Sequence, residues 1–239
     1  MIIELRAVER SFRRGRTTVP GLISTSMRID SGEFLAIIGA SGSGKSTLIN
    51  VMGLLDRPTA GSLLLDDFDC ARLDRDALAR IRNRRIGLIF QAYHLLPRLS
   101  ILDNVELPLT YAGLRRSERR RRAGEALERV RLSHRADQLP SVLSGGEQQR
   151  AAIARAIVTD PDVLLADEPT GALDSVTGRE IMAVLQALNR ENRSVVMVTH
   201  DEVLARCAKR IISMRDGQIV GDNDTSSRGA SSLAREVVA

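Results

Sequence analysis

Apolar and polar residues alternate at positions 3–8 and again at 22–29, the period-two pattern of half-buried strands. Between them, Arg13-Arg14-Gly15-Arg16 reads as a turn or loop. Phe34-Leu35-Ala36-Ile37-Ile38 is a continuous apolar run that stops at Gly39, as expected of a parallel strand covered on both faces. A helix is expected from about 46 to 54, then strands at 61–65 and 85–90. Residues 100–159 carry little strand character and several helical stretches. Three further core-strand runs lie at 163–166, 195–198 and 211–214, separated by helices at about 175–190 and 201–207. Strand–helix–strand alternation on both sides of a helical insertion predicts an α/β fold with a mostly parallel sheet. Residues 222–239 are polar and Ser/Gly-rich, and are expected to be loosely held.

At 239 residues the chain can bury a full core, either as one elaborated domain or as two tightly joined lobes. Its 35 basic against 30 acidic residues leave a net charge of +5, too small and too scattered to argue for nucleic acid. Aromatics make up 3% of the chain and tryptophan is absent, so no base-stacking platform is expected. Cys70 and Cys207 form no CxxC pair, which argues against a zinc site or a disulfide framework and for a reducing cytoplasm. The N-terminal residues Met1-Ile2-Ile3-Glu4 lack a signal-peptide pattern. No apolar run reaches the roughly 18–20 residues needed to cross a bilayer, so any membrane role is expected to come through a partner.

Gly39-Ala40-Ser41-Gly42-Ser43-Gly44-Lys45-Ser46, followed by Thr47, fits the phosphate-binding loop pattern between an expected strand and an expected helix. Glycines let the backbone wrap closely enough for its N–H groups to face phosphate oxygens. Lys45 is expected to reach the β- and γ-phosphates, and the Ser46 hydroxyl to ligate Mg²⁺. Lys45 and Lys209 are the only lysines in an arginine-rich chain, so a compact ammonium retained at 45 is informative. The strand at 163–166 ends in Asp167-Glu168, at the edge where open α/β sheets bind ligand. Asp167 suits the Mg²⁺ sphere, and Glu168 suits positioning or activating a water. A second anion site is expected at Ser144-Gly145-Gly146, where a helix beginning Glu147-Gln148-Gln149-Arg150 exposes free N–H groups and the positive end of its dipole.

These residues resemble the ATP-binding subunit of an ATP-binding-cassette (ABC) transporter, over nearly the whole chain. The resemblance implies an ABC ATPase domain over residues 1–221. It has a P-loop NTPase core, an N-terminal antiparallel β subdomain and a helical subdomain at about 92–160. It also makes residues 143–150 the family signature, with Ser144, Gly145, Gly146 and Glu147 contacting nucleotide on a second copy of the chain. Gln91 becomes the Q-loop glutamine linking Mg²⁺ and water to the membrane subunit. Asp167-Glu168 complete the Walker B motif, Gly171-Ala172-Leu173-Asp174 form the D-loop, and His200 is the switch histidine at the γ-phosphate. Phe12 falls where the family stacks an aromatic on adenine; packing within the N-terminal sheet is the alternative.

A narrower resemblance links Arg82-Asn83-Arg84-Arg85, Leu95-Leu96-Pro97 and Asn104-Val105-Glu106-Leu107-Pro108 to macrolide-export, lipoprotein-release and cell-division ATPases. Ala172 departs from the asparagine usual there. The resemblance implies an ATPase that binds ATP and Mg²⁺, dimerises around two ATP molecules with a second copy of itself or a homologous ATPase subunit, and moves integral membrane permease subunits at the cytoplasmic face of the cell membrane. A transmembrane signalling or cell-division complex without cargo is the alternative, and nucleic acid is not an expected partner. Arg119-Arg120-Arg121-Arg122 spread around a helix with Glu118, Glu125 and Glu128 interleaved, which reads as a solvated helix surface.

Overall fold

The structure is a computed structural model that describes residues 2–15, 17–66 and 68–225. Two sheets share the chain. The first is antiparallel, ordered β2-β1-β4-β5, from β1 (Ile3–Arg14), β2 (Thr17–Ile29), β4 (Ala60–Leu65) and β5 (Phe68–Asp69). The second, ordered β10-β9-β3-β8-β7-β6, contains β3 (Phe34–Ile38), β6 (Ile86–Phe90), β7 (Val163–Asp167), β8 (Ser194–Val198), β9 (Arg210–Arg215) and β10 (Gln218–Asp224). All its neighbours run parallel except β10 on β9.

The continuous apolar runs are explained by burial on both faces. Along β7, Leu164 and Ala166 enter a core shared with α3 (Ile101–Tyr111), α4 (Arg116–Arg129), α5 (Gly145–Ile157) and α6 (Ser175–Arg190). Val163 and Leu165 enter the opposite core, with α1 (Lys45–Met52) and the antiparallel sheet. Between β6 and β7 the chain forms no strand, and its three helices pack directly on the first of these cores.

The differences from expectation have local causes. The hairpin β1–β2 is longer at both inner ends than the alternation suggests, because register shifts between Leu5 and Ser11 break the period while pairing continues to Phe12–Val19 and beyond. Helix α2 (Arg75–Arg85) is not anticipated by the pattern: it reads RDALARIRNRR and buries only Leu78, so no apolar stripe marks it. The helix expected at 201–207 is a single turn, α7 (Glu202–Ala205). The boundary expected at residue 221 falls inside β10, where Asp222 pairs with Arg210 across the ladder and Thr225 donates from its N to Lys209 O at 2.7 Å. The rest of the expected loose tail, 226–239, lies outside the described residues.

One glycine sets how closely the helices approach the sheet. A Cβ on Gly87 in β6 would lie 2.5 Å from the Ala156 carbonyl oxygen and 2.6 Å from Leu164 Cδ2. Gly87→Ala therefore forces α5 off β6 and is expected to cost about 1–3 kcal/mol in urea denaturation. Gly124→Ala on α4, with nothing within 4 Å, is the control, expected to gain up to ~1 kcal/mol through helix propensity.

Candidate functional site

Four adjacent strands, in the order β3, β8, β7 and β6, deliver the expected chemistry to one sheet edge. After β3 the chain turns through Gly42 (φ 81) and Gly44 (φ 100), left-handed positions that favour glycine. A Cβ on Gly44 would lie 2.6 Å from Gly21 O in β2, so the loop also needs glycine for its close approach to the antiparallel sheet. The turn between β9 and β10 fastens that contact: Gly217 N donates to Ser43 O at 3.0 Å, and Ile23 N donates to Gly217 O at 2.8 Å.

Lys45, nearly buried, arches back over this loop and donates to Gly39 O (2.7 Å) and Ala40 O (2.9 Å). No side chain caps the start of α1, so its first N–H groups are left for a ligand. The Ser43 hydroxyl is buried without a partner. Uncapped donors, an orphaned hydroxyl and a lysine held beside them fit the phosphates of a nucleotide.

At the far side of the loop, the Ser46 hydroxyl hydrogen-bonds the Asp167 carboxylate. Burial raises the Asp167 carboxyl above its ordinary range, and the neighbouring Glu168 charge adds to this; the Ser46 hydrogen bond and the Lys45 charge oppose it. Among the described residues no cluster of three His, Cys, Asp or Glu side chains could hold a metal alone. A hydroxyl and one carboxylate suit Mg²⁺, which keeps waters and phosphate oxygens for its remaining positions.

Glu168 sits at φ 48, an uncommon conformation for a non-glycine residue, with its N donating to Val198 O at 2.9 Å. Its Oε1 lies 2.9 Å from His200 Nδ1. Glu168 is mostly covered and the histidine mostly exposed. Asp201 is not the histidine's partner: it caps α7 by accepting from Val203 N and Leu204 N.

An open cavity of about 850 Å³ joins these groups. Phe12, Val19 and Gly21 form one wall, Ser41, Gly42, Gly44, Lys45, Ser46 and Thr47 the floor, and Asp167, Glu168 and His200 the far end. Phe12 is 36% exposed, its ring lying against Gly21 of β2 on one side and bordering the cavity on the other. The Arg10 guanidinium lies 4.6 Å from its ring centroid.

Several expected site residues are not on this cavity. Gln91 lies one strand over; its amide rests against Gly171, where a Cβ would come within 2.8 Å of Nε2. Ser144, Gly145, Gly146, Glu147 and Asp174 cluster instead where α5 and α6 begin. Ser144 caps α5 in a capping box, its N and Oγ both donating to Glu147 Oε2 at 2.8 and 2.9 Å. The Ser144 backbone N–H is the main cause holding the Glu147 carboxyl below its usual range, helped by Arg135 at 2.8 Å. Asp174 caps α6, accepting from Val176 N, Thr177 N and Thr177 Oγ1. A Cβ on Gly146 would lie 2.4 Å from Thr177 Cγ2, so the two helix starts touch.

Sequence reasoning misses the side chains that tie these parts together. Arg155 on α5 donates to Tyr93 O (2.7 Å) and His94 O (2.5 Å), and both of those residues are left-handed, at φ 58 and φ 50. The same helix holds the loop after β7 through Gln149 Nε2 and Pro169 O at 2.6 Å. Asn104, fully buried, accepts from Leu96 N and donates to Leu96 O, Leu99 O and Ser100 O. No local signal marks Gln149 and Arg155, because the same helix also carries Glu147, Gln148 and Arg150. The arginine run is more ordered than expected: Arg119 and Arg120 turn to Glu106 on α3, while Arg121 and Arg122 pair with Glu118.

Residues 22–171 match the family model described as "ABC transporter". A macrolide export ATP-binding/permease protein, MacB, of Sodalis glossinidius is 52% identical over 94% of this chain, which spans 34% of that protein. The ABC transporter ATP-binding protein YvrO of Bacillus subtilis is 49% identical over 92% of this chain and 96% of that one. Among solved structures, a dimeric bacterial ABC transporter cassette superposes with a TM-score of 0.87 at 44% identity, covering 93% of this chain and 98% of that chain. The same cassette in a post-hydrolysis dimer bound to ADP and Pi gives 0.87 at 42% identity. The chain spans about a third of the macrolide-export relatives it matches and nearly all of the separate cassettes. The uncapped glycine-rich loop before α1, the adjacent Asp167 and Glu168 and the remote start of α5 are thus found in a chain that belongs to the ABC transporter family, as one of its ATPase cassettes.

Proposed function

We propose that two copies of this chain close head to tail on two ATP molecules, and that the closure drives an export-type membrane permease. One observation carries the reading. The helix start at Ser144-Gly145-Gly146, expected to take an anion, lies off the cavity of its own chain, which supports a partner copy bringing the two together. The dimeric cassettes at 42–44% identity, one of them bound to ADP and Pi, support dimerisation.

Within each site, Phe12 stacks on adenine and the loop from Gly39 to Thr47 wraps the phosphates. Lys45 exchanges its carbonyl partners for β- and γ-phosphate oxygens. Ser46 and Asp167 would hold Mg²⁺, joined by Gln91 once its amide leaves Gly171, and the ion would supply positive charge against the phosphates. Glu168 orients the attacking water and accepts its proton. His200, bonded to Glu168 in the free chain, turns its ring to the γ-phosphate. The partner's signature helix adds its N–H groups, and Asp174 orders the partner-facing loop. Such preorganised donors are the main source of rate in phosphoryl transfer.

The permease is assigned to a groove of about 590 Å³ between α2, β6, α3 and α5, lined by Asn83, Leu88, Phe90, Tyr111 and Arg155. Arg155 is the shared element: it borders the groove and grips the loop that follows Gln91. No helix among the described residues is long and apolar enough to cross a membrane. The pairing of Arg119, Arg120, Arg121 and Arg122 with carboxylates on α3 and α4 supports the exclusion of nucleic acid. Affinity purification of the tagged chain from detergent-solubilised membranes tests the assignment. Recovery of a permease that stimulates ATP hydrolysis is expected; ribosomes or DNA in its place would overturn it.

A further inference from the structure

Beside the nucleotide cavity, β1, the loop after α1 and α2 line a second, open cavity of about 420 Å³. Its polar lining residues are four arginines, Arg10, Arg57, Arg75 and Arg82, and among the described residues no carboxylate lines it. Charge compensation nearby is sparse. Arg10 pairs with Asp56 at 3.0 Å, while Arg57 and Arg82 spend one N–H each on the carbonyls of Leu73 (2.7 Å) and Leu54 (2.8 Å). Carbonyls satisfy hydrogen bonds but leave the charges uncompensated. Asp74 is occupied as the cap of α2, accepting from Ala77 N at 2.7 Å. The Arg10 Nε is buried with no partner, and the Arg75 side chain has no hydrogen bond or ion pair among the described residues.

With Arg10 paired to Asp56, the charges of Arg57, Arg75 and Arg82 remain around one cavity and repel unless a counter-charge enters it. We propose that this cavity binds a phosphate-class oxyanion. A guanidinium presents a planar fork of donors that matches phosphate oxygens two at a time, and four arginines border this cavity. Leu54, Leu55 and Leu78 supply an apolar wall on which the organic part of a phosphate ester can rest. Free phosphate and a phospholipid headgroup share this chemistry. Because the cavity shares Arg82 with the groove beneath α2, a ligand here also lies beside that groove.

The test fills the phosphate loop with saturating ADP and offers the full chain two probes. One is inorganic phosphate, followed by calorimetry; the other is phosphatidylglycerol vesicles against phosphatidylcholine vesicles, followed by co-sedimentation. Arg75→Gln, which removes a side chain with no partner to disturb, is expected to weaken binding about tenfold, as loss of a charge-assisted hydrogen bond would. Arg57→Gln should weaken it comparably, whereas Arg131→Gln/Arg206→Gln, which loses charge elsewhere, should leave it within about twofold. Unchanged ADP affinity verifies that each variant is folded. Phosphate binding lost in Arg75→Gln identifies a soluble anion; binding confined to phosphatidylglycerol identifies a headgroup. Binding of neither probe, equal binding by Arg75→Gln, or an equal loss in the control overturns the site.

Discussion

Glu168→Gln is expected to lower ATP turnover by roughly 10²–10⁴-fold while leaving ATP affinity close to that of the unaltered chain. Among the described residues its side chain is the carboxylate that meets His200, at 2.9 Å, and the backbone at φ 48 aims it away from the ordinary extension of β7. The amide keeps the size and one acceptor oxygen but cannot take a proton from water. It also removes the charge that helps raise the neighbouring Asp167, so metal binding at Asp167 should not suffer. ATP that binds and is not consumed holds the dimer closed. Size-exclusion chromatography should show a dimer that accumulates with ATP and not with ADP. Steady-state ATPase equal to that of the unaltered chain would remove Glu168 from the role of base.

The parts of this site that can be read from the chain are those that combine a local conformational need with a distinctive residue. The run from Gly39 to Ser46 follows a buried strand, and its Gly42 and Gly44 take the left-handed angles that such a loop demands. Asp167 and Glu168 end an apolar run, and Ser144 precedes a run of helix formers with Glu147 at the capping-box position. Contacts between distant residues are not legible. Glu168 and His200 are 32 positions apart, and only the β7–β8 register brings them together. Arg155 and Gln149 look like ordinary helix residues until the loops they hold are seen. Helix α2 escapes because it is nearly all charged, and β10 because it is a half-exposed edge strand. Gln91 does follow β6, but its side chain rests on Gly171 and not on the cavity, a detail of packing that no local pattern encodes.

Ser144→Arg separates the two anion sites by experiment. Position 144 is exposed and contributes nothing to the cavity, so the isolated chain should bind ATP with its usual affinity. Loss of the serine cap costs about 1 kcal/mol of helix stability, partly offset because the new guanidinium can pair with the Glu147 carboxylate already lying at that helix start. The fold therefore survives. What does not survive is the surface offered to the partner: a long side chain stands where a second copy would have to seat its γ-phosphate against the N–H groups of Gly145 and Gly146. Removing donors of this kind costs roughly 10²–10³ in rate, and blocking the dimer removes cooperativity with it. Hydrolysis should fall by at least that factor and lose its sigmoidal dependence on ATP. Mixing Ser144→Arg with Lys45→Ala sharpens the test, because neither variant alone can assemble a site with both a sound phosphate loop and a sound signature. In the mixed dimer the intact loop of the Ser144→Arg copy meets the intact signature of the Lys45→Ala copy, so one composite site is complete and part of the activity should return. Normal, cooperative hydrolysis by Ser144→Arg alone would show that each chain completes its own site.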